Sequence, residues 1–327
     1  METIYYPTAG ADTNPNTSLE GDTTSEIFLE ISAGIFLTVV VLMNFLLNPP
    51  MLCVLYRVTS IQPTTKIFMA SLTMSDLGTG IIWLIRLPGV FAGKWLLGDF
   101  LCAISGVFGY IFQSLNLLSL VLLTIDRYIA VSRPLRYPTL MTVFRSKILI
   151  CAKWTTIVIV GILLYGIYHP RRVEQLGSRQ LCSWRMDNVR GVFGLLAVVF
   201  WQTVIIILYL RISLIARKQA RRIAAENQAD NGQGGHRINT RSIATIVIIT
   251  GTLVITWIPN IILLLVPLVN GSSPNTYINY LLTYFATGFV ISNSWLNVII
   301  YYLRNKQLRR VMLVLLSDWR HRLVQNF

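Results

Sequence analysis

The sequence is poor in charge. Asp, Glu, Lys and Arg make up 13% of its 327 residues, while 54% are hydrophobic. Soluble domains carry about 25% charged residues, so an ordinary soluble fold is excluded and the chain falls in the membrane class. Histidine is scarce: His169, His236 and His321 are the full set, all outside the apolar stretches. With no Ser–Lys pair, paired aspartates or zinc-spaced set, an intramembrane enzyme is disfavoured. Residues 1–30 hold six acids and no Lys or Arg. A cleavable signal peptide needs a basic n-region and a short apolar core, and neither is apparent there. No internal repeat is visible, which weighs against a transporter.

What the chain does have is length without charge. Seven apolar stretches of about 20 or more residues lie near 31–56, 67–91, 101–125, 148–168, 191–215, 243–269 and 276–303, each long enough to span a bilayer. The expected fold is an all-α membrane protein, a seven-transmembrane helix bundle over 31–303. An extracellular, glycosylated segment (1–30) precedes it, and a cytoplasmic amphipathic eighth helix with a short tail (304–327) follows.

The net charge of +14 is unevenly placed. With the N-terminus outside, the inner side holds 8 basic residues from Arg57 through Lys153, 7 from Arg211 to Arg241 and 6 in the tail, or 21 of 28. The positive-inside rule therefore predicts an extracellular N-terminus and a cytoplasmic C-terminus in the plasma membrane. Basic residues that flank spans do not make a nucleic-acid surface, so lipid is the expected partner of this charge. Asn16-Thr17-Ser18 and Asn270-Gly271-Ser272 are N-glycosylation sequons on the outer side, with Asn16 the expected acceptor. Cys53 and Cys151 lie inside spans and read as inert buried thiols. Cys102 and Cys182 both fall on the oxidising outer side and are expected to be bonded.

The stretch from Trp95 to Tyr137 organises the rest. About 23 uncharged residues, roughly 34 Å of helix, separate Cys102 from Asp126-Arg127-Tyr128. Gly109, Gln113, Asn116, Thr124 and Arg127 fall mostly three or four apart along one stripe. Amides in a lipid-spanning helix must face protein or water. They act as interhelical glue or line a buried polar channel.

Other spans carry their own markers. Asp76 sits in mid-span, where a carboxylate is a functional candidate by default. Pro49-Pro50 predicts a kink in the first helix and Pro259 one in the sixth, next to Trp257. Asn293, Asn297 and Tyr301 are four apart on one face. AAENQADNGQGG, after the fifth helix, reads as a flexible linker. RNKQLRRVMLVLLSDWRHRL reads as a basic amphipathic helix at the inner interface.

Taken in order, these residues resemble the rhodopsin-like family of G-protein-coupled receptors. The markers are Asn48, Leu72 and Asp76, Trp95-x-x-Gly98-x-x-x-Cys102, Asp126-Arg127-Tyr128, Pro134-Leu135-x-Tyr137, Trp154, Cys182, Tyr209, Trp257-x-Pro259 and Asn297-x-x-x-Tyr301. The resemblance implies a receptor that captures an extracellular ligand and activates a heterotrimeric G protein. It implies that Asp126 restrains Arg127 at rest, and that Tyr209 and Tyr301 rearrange around it. It implies that Asp76, with Asn48, Asn116, Asn293, Ser294 and Asn297, forms a polar pocket able to hold a sodium ion, no other cofactor being expected. Asn116 stands where a serine is commoner. The alternative class is a seven-helix chemosensory ion channel or transporter, and the charge count opposes the inverted topology of the former.

There are departures from the family. Trp201 replaces a proline in the fifth helix and Val298 one in the seventh; Thr256 replaces a cysteine and Leu253 a phenylalanine. Amine receptors carry an aspartate where this chain has Gly109, so an amine held by that pair is not expected. Residues 276–303 contain no lysine for a retinal Schiff base. Expected ligand-pocket residues are Tyr110, Gln113, Phe193, Ala197, Trp257, Asn260, Tyr284 and Thr287, mostly apolar with a few hydrogen bonders. A lipid, a nucleoside-like metabolite, an odorant or a short peptide all fit that lining.

Overall fold

The computed structural model describes residues 15–59, 61–168, 172–176, 179–183, 188–229, 248, 251–263, 265 and 277–325. Its helices are α1 (Pro15–Arg57), α2 (Pro63–Phe91), α3 (Gly98–Ser132), a single turn α4 (Tyr137–Leu140), α5 (Val143–Gly161), α6 (Asn188–Ala229), α7 (Gly251–Leu263), α8 (Tyr277–Arg304) and α9 (Lys306–Gln325). Among the described residues, five helices are long and apolar enough to cross a membrane: α1, α2, α3, α5 and α6. The remaining two expected spans contain α7, apolar but shorter over its described length, and α8.

Local signals set the helix ends. Pro63 stands in the first turn of α2, where its missing N–H costs nothing. Thr142 caps α5 by accepting the Arg145 N–H at 3.3 Å. Asn305 separates α8 from α9, and its Oδ1 accepts the N–H groups of Gln307 (3.0 Å) and Leu308 (3.2 Å). Leu308, Met312 and Leu315 are buried on one face of α9, so the tail packs as the amphipathic helix its sequence predicts. Arg57 and Asp318 pair at 3.5 Å and join α1 to α9.

Pro49 and Pro50 both lie inside α1, which runs past them to Arg57. Two further details differ from expectation. The helix α6 runs to Ala229, so the first residues of the expected linker are helical. The connection between α5 and α6 contains an antiparallel hairpin, β1 (Arg172–Leu176) and β2 (Arg179–Ser183), with Val173 opposite Cys182. The Cys102–Cys182 disulfide ties it to α3, and the Trp95 N–H donates to the Gln180 carbonyl at 2.6 Å.

The bundle is apolar outside, and its apolar core carries buried polar groups as well. Phe28, Leu46, Ile255 and Phe200 are more than half exposed, whereas Asn44, Asn48, Ser75, Asp76, Thr124 and Asp126 are buried beside Leu72, Leu115 and Leu120. That distribution suits lipid, where burying apolar surface between helices gains little and backbone polar groups are satisfied within each helix. Helix α3 is central and packs on α2, α5 and α6, while α8 packs on α1. Small residues permit the closest approaches. A Cβ at Gly78 would run into the ring of Phe112, and one at Gly288 into the ring of Phe36. Cys53 and Cys151 are exposed, contrary to the expectation of buried thiols. Both sit on outward faces, where a thiol is one more apolar group against lipid.

Candidate functional site

Asp126 and Arg127 end the polar stripe of α3. The Asp126 carboxylate is 0% exposed, and such a charge is tolerated only when its lone pairs are filled. They are. Arg127 Nη2 and Nε donate to Oδ2 at 2.8 and 3.1 Å, and Thr65 Oγ1 donates to the same oxygen at 2.9 Å. The Tyr137 hydroxyl donates to Oδ1 at 2.6 Å and lies 2.8 Å from Thr64 Oγ1. Arg127 also donates to Thr65 Oγ1. Burial, followed by the donated bond to the carboxylate, holds the Tyr137 phenol above its ordinary value of 10.0, so it remains a proton donor.

The sequence identifies this ion pair but not its supports. Thr64 and Thr65 occupy the first turn of α2, and Tyr137 opens α4. A faint signal exists in two adjacent hydroxyls at a helix start and a Tyr ten residues beyond the Arg. Their convergence is tertiary. Tyr128 is half-buried against the apolar core. Tyr209 (7% exposed) packs in the same core as Leu253 and Trp257. The buried Tyr301 hydroxyl has no hydrogen-bond partner among the described residues.

A second cluster lies mid-bundle. Asp76 is 1% exposed. Asn116 Nδ2 donates to Asp76 Oδ1 and, at 3.4 Å, to Ser294 Oγ. The structure thus joins α2, α3 and α8 through three of the expected residues. Asn48 turns back on its own helix and donates to the Asn44 carbonyl (3.1 Å) and Oδ1 (3.2 Å). The side-chain amides of Asn293 and Asn297 are buried without partners among the described residues. These amide oxygens suit a cation, but Asp76 Oδ1 already accepts from Asn116, and the ammonium of Lys153 is buried against Ser71 of α2 and Ser119 of α3. The charge count places Lys153 among the inner basic residues; it is instead 8% exposed inside the bundle. A fixed cation thus already stands among the helices that hold this cluster.

The outer-half residues are less tightly gathered. Trp257 is buried, Tyr110, Gln113, Asn260, Tyr284 and Thr287 are half-buried, and Ala197 is exposed. Thr287 Oγ1 donates to its own helix, at Thr283 O, over 2.7 Å. Trp83 meets Tyr284 edge-on at 6.1 Å and carries the Arg86 guanidinium 5.4 Å above its ring. Arg86 is buried and its Nε lies 3.4 Å from Ser105 Oγ. The side chains of Asn16 and Phe193, and the sequon at Asn270, lie outside the described residues.

Comparison with known proteins agrees with this architecture. Residues 47–301 match the 7 transmembrane receptor (rhodopsin family). The chain is 26% identical over 256 residues to trace amine-associated receptor 13c of Danio rerio, covering 74% of this chain and 72% of that one. It is 27% identical over 251 residues to the histamine H2 receptor of Homo sapiens, covering 75% and 68%. It is 27% identical over 334 residues to the D(1A) dopamine receptor of Didelphis virginiana, covering 89% and 74%. The match over most of the chain, with its apolar helices, makes this a multi-pass plasma-membrane receptor and not an enzyme, and the chain belongs to the rhodopsin family of seven-transmembrane receptors.

Proposed function

We propose that this receptor binds a non-aminergic extracellular ligand between the outer ends of its helices and activates a heterotrimeric G protein by opening their inner ends. The observation that carries this reading is the saturated Asp126 carboxylate. It holds Arg127 against α2 and the inner loop at once, through Thr65 and Tyr137. A ligand shifts such a closed arrangement only by binding the open one better; moving a 1:99 ratio to 99:1 requires about 5.5 kcal/mol of differential affinity. Opening frees Arg127 beside Tyr209 and Tyr301, and a partner helix docks in the cleft. Arg127→Ala should abolish nucleotide exchange on the G protein while surface expression persists; undiminished exchange by that variant would remove the mechanism.

The excess of basic residues on one set of loops supports an extracellular N-terminus, and glycosylation mapping at Asn16 tests it. Gly109, where amine receptors carry an acid, supports a ligand that is not an amine. The relatives' own names favour the second reading, an amine held by other groups. A panel of amines, neutral lipids and acidic metabolites on cells expressing the receptor discriminates the two, with Arg127→Ala as control. Family membership sets aside the channel and transporter alternative.

A further inference from the structure

The centre of the bundle holds a charge that the switch just described does not use. Lys153, on α5, donates from Nζ to Ser71 Oγ at 3.0 Å, to the Leu115 carbonyl at 3.4 Å and to Ser119 Oγ. An ammonium has three N–H donors, and all three are engaged. Trp154, the next residue, gives its Nε1–H to the same Ser71 Oγ at 3.0 Å, and its ring centre lies 5.7 Å from Nζ. Every acceptor is neutral. A cation so far from water is costly unless an opposite charge stands nearby.

That charge is Asp76. On α2, Ser71 precedes it by five residues, about 7.5 Å of helical rise; on α3, Ser119 follows Asn116 by three residues, about 4.5 Å. Asn116 in turn donates to the Asp76 carboxylate. Lys153 is thus tied to the helix of Asp76 through Ser71, and to the helix of its partner Asn116 through Ser119. The other buried acid on α3, Asp126, lies seven residues beyond Ser119 and is committed to Arg127.

We propose that Lys153 is the resident counter-cation of Asp76, taking the place of a bound sodium ion, so that the resting receptor does not depend on sodium. The proposal rests on reading the Asp76 cluster as part of the receptor's polar switch. With one carboxylate and one ammonium the cluster is balanced, and an added sodium ion would leave a surplus positive charge in a medium of low dielectric. The tether also sets where the charge sits: below Asp76, between α2, α3 and α5.

The test is thermal unfolding of the purified full-length receptor in NaCl, with KCl and N-methylglucamine chloride at equal ionic strength as references. Wild type should melt at the same temperature in all three salts. Lys153→Met should gain a sodium-specific rise that grows with concentration, about 3 °C or more at saturation, and adding Asp76→Asn should erase it. Loss of Lys153 as a mere structural brace would lower every melting temperature without selecting sodium. Sodium-specific stabilisation of wild type that Asp76→Asn removes would overturn the proposal, and that arm needs no lysine variant. So would folded Lys153→Met, or Lys153→Gln should the first not fold, showing no preference for sodium. Neither ligand nor G protein enters the assay, so its failure leaves the receptor reading intact.

Discussion

The Tyr137 hydroxyl donates to Asp126 Oδ1 over 2.6 Å, from a residue eleven positions further along the chain. One phenol thus fastens α4, in the connection between α3 and α5, to the acid that pairs with Arg127. Removing it in Tyr137→Phe takes away a charge-assisted hydrogen bond of about 1.5–3 kcal/mol. Where that energy belongs to the closed state, basal nucleotide exchange should rise about 10-fold, read as agonist-free GTPγS binding. An unchanged basal rate would mean that the bond persists on opening.

The same phenol gives a pH prediction. Its folded-state value is raised above 10.0, first by burial and then by its bond to Asp126. A raised value stabilises the protein fully below the unfolded value and loses that contribution as pH climbs past it. The stability gap between wild type and Tyr137→Phe should stay constant from about pH 6 to about pH 9 and close only above about pH 10. Melting curves across that range check it.

Thr65 both donates to Asp126 and accepts from Arg127. Thr65→Val keeps the shape and deletes the bridge. We expect a stability loss of about 1–3 kcal/mol from the underfilled carboxylate, with raised basal exchange. Thr65→Ser should retain both properties near wild type, which separates the hydroxyl from the methyl group.

The disulfide closes a separation of 80 residues. A loop of about that size gives roughly 4.5 kcal/mol on chain-entropy grounds. The double variant Cys102→Ser/Cys182→Ser should therefore lose most surface expression, measured by flow cytometry, because the hairpin would be left with little more than its hydrogen bonds to Trp95 and Asp99.

Gly78 faces the ring of Phe112 across the α2–α3 contact. Gly78→Val should lower stability by about 1–3 kcal/mol through overpacking. Adding Phe112→Ala should restore part of the loss, a non-additivity seen in a double-mutant cycle of melting temperatures.

How much of this was legible follows from what each signal measures. Spans are visible because a run of about 20 apolar residues rarely arises outside a membrane helix. Asp76 and the Asp126–Arg127 pair stand out because charge inside a span is rare. Lys153 lies close enough to the expected start of its span to pass for a flanking basic residue, and only the packing of α2, α3 and α5 turns it inward. Cys53 and Cys151 mislead for the opposite reason: lipid-facing and core-facing positions have the same apolar composition, so burial cannot be read from hydropathy. The hairpin escapes notice because its strands are five residues each. It is held by a disulfide and a few bonds to α3 and its approach rather than by an alternating pattern. Thr64 and Thr65 are ordinary in sequence, and Tyr137, though a family marker, shows its bond to Asp126 only where three segments meet.

The ring of Phe36 occupies the notch left by the missing side chain of Gly288, stacked with Phe285 at 6.1 Å and tilted on Phe289 at 5.3 Å. A key seated in this way blocks sliding between the first and last membrane helices. That edge of the bundle is therefore a fixed frame of reference. Spectroscopic rulers anchored on α1 or α8 have an origin that does not drift, against which the proposed opening can be measured.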